Sequence, residues 1–161
     1  MKKIILGNLL IIITSSCNLR EIKYSDDELE NLKHKILLNK DIISYEDYSL
    51  YLDQKDTLCN VELLPYHLKM MEVDSANSYF CFFNTFLRVK FNRENPKDII
   101  KLAKPEQDLL IYYLNKGSDN GSYGCKSVII ELYEKGIYYK KNKSKADSLY
   151  FVAYGYRNPN R

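Results

Sequence analysis

The chain has 161 residues, 45% of them apolar, which is enough for one domain with a substantial core. Tyr is unusually common at fifteen and Trp is absent. The formal net charge is +3, and Lys2 and Lys3 supply two of those charges, so the remainder is almost neutral and lacks the strong basic field of a nucleic-acid binder.

Met1-Lys2-Lys3 is a short positive segment, followed by an apolar run over residues 4–13 and by small residues at Thr14, Ser15 and Ser16. This is the layout of a secretory signal. The run is too short for a spanning helix, which needs about 20 apolar residues. Thr14-Ser15-Ser16-Cys17 resembles a bacterial lipobox, with Thr where Leu is usual. The resemblance implies diacylglyceryl attachment to the Cys17 thiol and cleavage before it. Two or three acyl chains hold a protein at a membrane stably, at about 0.8 kcal/mol per buried methylene. Residues 1–16 are therefore expected to be a signal peptide and 17–28 the lipidated cysteine and tether. Cys59, Cys81 and Cys125 remain, with no C-x-x-C pair to suggest a redox or zinc motif. In an oxidising envelope two of the three can pair, though spacing does not say which. Cys81 and Cys125 also suit small buried apolar positions on helices.

Beyond the tether, Leu29, Leu32, Ile36 and Leu37 recur at helical spacing, with Ser25 and Asp26 as possible N-caps. A second helix is expected over residues 45–52, followed by a polar turn over 53–60. The third places Leu63, Leu64, His67, Leu68 and Met71 on one side, with Pro65 in its first turn. After Asp74-Ser75, residues 76–89 are the most apolar stretch outside the N-terminal run. Tyr79, Phe82, Phe83, Phe86 and Leu87 fall at i, i+3, i+4, i+7 and i+8, the stripe of a central buried helix. A loop over 92–95 and a short helix from Pro96 through Leu102 follow. Lys104-Pro105-Glu106 opens the next helix, with Leu109, Leu110, Tyr113 and Leu114 apolar and Gly117 as its end. Ser122 caps a helix carrying Cys125, Val128, Ile129, Leu132 and Tyr133, which Gly136 stops. Ser144, with Asp147 three residues on, is expected to cap the last helix, which carries Ala146, Leu149, Tyr150 and Ala153. No β-pattern appears. Asn120-Gly121 sits between segments of period near 3.6 and reads as a helix–helix turn.

No nucleophile elbow, phosphate loop, dinucleotide glycine signature or H-E-x-x-H is present. His34 lies between Lys33 and Lys35 and reads as solvated. His67 lies in an apolar helix and reads as a packed residue. Neither has a second His at i+3 or i+4, so neither a metal site nor a cofactor site is expected, and no catalytic residue is assigned. The acids at Asp26, Asp27, Glu28 and Glu30 suit the positive end of a helix dipole. The tyrosines are the more informative feature. Tyr112, Tyr138, Tyr139, Tyr154 and Tyr156 cannot all face a core, and tyrosine with a wet end is favoured at interfaces. Tyr138-Tyr139-Lys140-Lys141 falls in an interhelical loop, so Tyr112, Tyr138, Tyr139, Lys140 and Tyr154 are the candidate partner-binding residues.

Ser78-Tyr79-Phe80-Cys81 and Ser122-Tyr123-Gly124-Cys125 each follow a polar turn early in the second helix of a pair, a faint internal repeat. Residues 109–149 resemble a Sel1-like repeat, a relative of the tetratricopeptide repeat. The resemblance is carried by Tyr113-Leu114-Asn115-Lys116-Gly117, Asn120-Gly121, Leu132-Tyr133-Glu134-Lys135-Gly136 and Lys143-Ser144-Lys145-Ala146. Gly124 fits a position where small residues let paired helices touch, while Ser118 and Lys126 stand where Ala is common. The resemblance implies an all-α fold, with antiparallel helix pairs stacked as a short right-handed solenoid over residues 29–156 and a polar tail at 157–161. Such stacks offer an extended surface to another chain. The function expected is a non-catalytic protein–protein interaction module, lipid-anchored in the bacterial cell envelope, with an unknown protein partner and no nucleic acid. An alternative is an immunity protein that neutralises a toxin in the periplasm.

Overall fold

A computed structural model describes residues 23–55, 60–73 and 75–155. Among these residues there are helices and turns and no strand. Helix α1 (Asp26–His34) runs into a π-type turn (Lys35–Asn39) and is followed by α2 (Ile42–Asp53) and α3 (Asn60–Met71). Next come α4 (Ala76–Phe91), a 3-10 turn (Pro96–Lys101), α5 (Lys104–Asp119), α6 (Tyr123–Lys135) and α7 (Lys143–Tyr154). Residues 1–22, Cys59 and residues 156–161, and with them the expected signal, lipidated cysteine and tail, lie outside the described residues.

Side-chain caps set most of the helix starts. The Ser25 hydroxyl accepts from the Glu28 N–H at 3.3 Å, and the Ser25 N–H donates to the Glu28 carboxylate at 2.8 Å, a reciprocal capping box. Asp41 accepts from the Ser44 N–H at 2.6 Å, so α2 opens at Ile42, ahead of the expected Tyr45. Ser122 caps α6 as expected, accepting from the Cys125 N–H at 3.3 Å. Helix α7 is capped by Asn142, which accepts from the Lys145 N–H at 2.9 Å, and not by Ser144. An Asn side chain reaches the second or third helical N–H as well as Ser does, and it comes earlier in the chain. Gly136 and Gly155, at φ 70 and 75, close α6 and α7 in the left-handed conformation that favours glycine.

Successive helices pack on one another: α3 on α4, α4 on α5, α5 on α6 and α6 on α7. The apolar interior falls into parts. Ile36, Tyr45, Tyr48, Leu63 and Met70 fill the space among the first three helices. A larger cluster runs from Met71 through Tyr79, Phe83 and Leu87 to Ile99, Leu110, Leu114, Cys125 and Leu132. Ile130, Ala146 and Ala153 make a small third contact between α6 and α7. The α4 stripe is largely as expected, with Tyr79, Phe82, Phe83 and Leu87 buried and Phe86 packed at the margin.

Three further expectations fail. The π-type turn changes the angular phase at the end of the first helical segment, so Ile36 is buried while Leu37 is exposed. Helix α3 lies between two neighbours and buries Tyr66 and Met70 as well as His67 and Met71, leaving Leu68 exposed. Pro65 is the sixth residue of α3, inside the helix and beyond the first turn.

Gly117 does not end α5, which continues to Asp119. It is buried at the crossing of α4, α5 and α6. A Cβ built there would stand 2.6 Å from both Tyr79 Cβ and Cys125 Sγ. At Gly124 the atoms nearest to a Cβ belong to the ring of Phe80, the closest at 2.5 Å. Tyr79 Cβ is fixed to the α4 backbone, whereas the partly buried Phe80 ring can turn aside. Gly117→Ala should therefore destabilise by about 1–3 kcal/mol, the usual cost of overpacking, and Gly124→Ala by less. Urea unfolding of the two variants checks this; equal midpoints would disprove the close crossing at Gly117.

Candidate functional site

The second face of α4 meets α2 and α3 across a cleft of about 180 Å³. Its floor is polar, and its groups come from three helices. Tyr45 on α2 places its hydroxyl 2.7 Å from His67 Nδ1 on α3. His67 Nε2 lies 3.0 Å from Thr85 Oγ1 on α4. The two rings meet edge to face at 5.7 Å between centroids. Cys81 and Ser49 border the Tyr45 hydroxyl, and Asn84 and the Arg88–Glu94 ion pair stand at the rim.

Burial governs the chemistry of this cluster. It pushes the His67 imidazole down to about 4 and raises the Tyr45 hydroxyl and the Cys81 thiol. Cys125, deep in the larger cluster, is pushed up to about 11 by burial. A cysteine nucleophile needs a thiolate and a general base needs a pKa near the working pH. Neither condition is met here: both thiols are held protonated, and both His67 nitrogens already have partners. The cluster acts as a polar tie that fixes the register of three helices. Its members Ser49 and Thr85 carry no motif and are recognisable only once the helices are placed.

A second polar tie sits between α4 and α5. Asp98, buried in the 3-10 turn, receives a hydrogen bond from Arg93 Nη2 at 2.7 Å and pairs with Lys101 at 2.6 Å. The Arg93 guanidinium first, and Lys101 next, hold its carboxyl down at about 2.

The expected partner-binding residues divide between separate places. Tyr112 is 57% exposed on α5, edge-on to Tyr113 at 5.3 Å. Tyr138, at φ 61, donates its hydroxyl to Asp108 at 2.7 Å, and Lys104 lies 4.4 Å over its ring. Tyr139 stacks on Tyr133 at 4.3 Å and accepts from Asn115 Nδ2 at 3.2 Å. The α6–α7 loop is thus fastened to α5 and α6, with Lys140 exposed at its far side. Tyr154 lies apart from these, beside Tyr150 at 4.6 Å and Tyr123 at 6.2 Å. With Tyr150 it lines a groove of about 290 Å³ between α6 and α7, opposite Glu131 and Glu134. Sequence reasoning placed Tyr150 on the apolar face of the last helix and gave the two acids no site. Their spacing, i, i+3 for the acids and i, i+4 for the rings, is the signal that could have found them.

Among the described residues no three of His, Cys, Asp and Glu come together as metal ligands, and no helix is long and apolar enough to cross a membrane. The fold and these sites define an all-α protein of packed helix pairs, compatible with a helical repeat. No family model, no curated protein and no solved structure matches the chain.

The buried imidazole makes stability depend on pH. His67 ordinarily titrates at 6.5 and in the fold at about 4, so the unfolded chain takes up its proton first as pH falls. The stabilisation is complete above pH 6.5 and declines between 6.5 and 4 by about 1.4 kcal/mol per unit. His67→Gln should lack this component. Denaturant midpoints of the two proteins from pH 7 to 4.5 measure it, and parallel profiles would show that His67 is not buried neutral. Thr85→Val, which strands one imidazole nitrogen, should cost about 1–3 kcal/mol at neutral pH.

Proposed function

We propose that this chain is a non-catalytic protein-binding module, held at the bacterial cell envelope by lipid on Cys17, with its helix pairs stacked as a short right-handed solenoid of the Sel1-like kind. The observation that carries the reading is the packing order. From α3 to α7 each helix rests on the next in sequence, the order in which helical repeats stack to present a face to another chain. Gly117 and Gly124, both within the segment that resembles a Sel1-like repeat, let helices approach at close range, which is the task small residues have in such repeats. The withheld reactivity of Cys81, Cys125 and His67 argues in the same direction. Exposed aromatic and apolar residues at Tyr112, Tyr123, Phe151 and Val152 supply the contact area that recognition of a protein requires.

The anchoring part of the reading has its own test. Full-length protein should fractionate with membranes and incorporate labelled fatty acid, and Cys17→Ser should lose both properties; unchanged fractionation of the variant would remove the lipid from the reading. The binding part is tested by cross-linking in the producing cell with a C-terminally tagged full chain, followed by mass spectrometry. One saturable protein partner is expected, and hydrolytic activity without a partner would overturn the module.

A further inference from the structure

We propose that the tip where the first helical segment turns into α2 rests in the surface of the membrane that holds the chain, its aliphatic side chains seated among the lipid headgroups and upper acyl chains. This rests on the anchored reading of Cys17 and adds the surface that meets the lipid.

Helix α1 and the π-type turn bring the chain to Lys40, whose backbone at φ 54 reverses it toward α2. The reversal is held from within. The Lys40 and Asp41 N–H groups donate to the Ile36 and Lys35 carbonyls at 3.1 and 3.4 Å, and Asp41 accepts from the Ser44 N–H. Ile36 is taken into the interior, and the aliphatic residues on either side of the reversal are left outside. Leu38 is 66% exposed and Ile43 70%, with Leu37 and Ile42 exposed beside them. The Lys40–Glu72 pair, at 3.1 Å, brings the end of α3, with exposed Val73 just past it, to the same tip. Exposed aliphatic groups gathered in this way mark a contact surface.

Their chemistry favours lipid over protein. Anchor residues of protein interfaces are enriched in tyrosine, tryptophan and arginine, with leucine and valine under-represented. In a chain with fifteen tyrosines, residues 35–44 contain none. Acyl chains ask only for apolar bulk. The reach of the chain allows the contact. From Cys17 to Asp26 it spans up to about 30 Å when extended. Helix α1 and the π-type turn together run only about 20 Å. The tip can therefore meet the same bilayer as the lipid on Cys17. Linkage to that lipid makes the contact intramolecular, so a patch too small to hold a membrane alone still engages it. Charge selects the same orientation. Asp26, Asp27 and Glu28 crowd the first turn of α1, at the end away from the tip, and an anionic bilayer surface repels that end.

The test places the full chain, labelled at isoleucine methyl groups, in nanodiscs of phosphatidylethanolamine and phosphatidylglycerol that carry a nitroxide on one acyl chain. The Ile42 and Ile43 signals should lose intensity, while that of Ile100, 58% exposed on the 3-10 turn, should keep it. L38S/I43S alters only exposed side chains. It should stay folded and membrane-bound through Cys17, and its Ile42 signal should recover. A photo-reactive residue at position 38 should give lipid adducts in cells. Ile42 and Ile43 signals no weaker than that of Ile100, or an Ile42 loss unchanged in the variant, would overturn the proposal. Protein adducts in place of lipid ones would overturn it as well. So would shifts at these methyls that follow protein concentration without nitroxide, which would identify a second copy as the occupant. Sharp tip signals in a protein that still fractionates with membranes through Cys17 would refute the tip and leave the anchor. Unchanged fractionation of Cys17→Ser would remove the anchor, and the nitroxide would still read the tip.

Discussion

The structure depends on covering α4 from two sides at once. Its sixteen residues direct Tyr79, Phe82, Phe83 and Leu87 into the larger apolar cluster, while Thr85 reaches the other way to His67. Fully burying such a side chain contributes about 1.5–3 kcal/mol. α5 and α6 shelter one side and α2 and α3 the other. The contact on the first side is apolar and close, set by the missing Cβ of Gly117. The contact on the second is polar and directional, set by the tyrosine–histidine–threonine chain.

Much of this was legible in the amino-acid sequence wherever the cause was local. The α4 stripe, the Ser25 and Ser122 caps and the glycine stop at 136 follow from spacing and from residues within one turn of each other. The all-α character follows from the same periodicity. What was not legible depends on which helix touches which. Gly117 reads as a terminator from its neighbours in sequence and becomes a crossing point only through Tyr79 and Cys125. The inward arc of α3 is misjudged because a helix with partners on two sides buries more than one stripe. The tyrosines were recognised as too numerous for the core, yet the roles of Tyr138 and Tyr139 come from Asp108, Asn115 and Tyr133 on other helices. The acidic and aromatic groove needs α6 and α7 side by side before its four residues form anything.

The ionisable groups follow a single rule in this molecule. Those taken out of water without an opposite charge are kept neutral, as His67, Cys81 and Cys125 are. Asp98, buried with Arg93 and Lys101 against it, stays charged and ties the 3-10 turn to the preceding loop. Elsewhere charge lies at the surface, where pairs such as Lys104–Asp108 steady local geometry without carrying the fold.

The division of the interior into successive clusters joined by a polar tie has a mechanical consequence. A pull applied at the N-terminal end loads α1 to α3 first. The joint between that block and α4 holds both the His67–Thr85 bond and the burial of Met71 against the cluster built on α4, so it does not part at a polar seam. Tension is thus handed through α3 to the aromatic heart of the molecule, and the two parts of the interior share the load.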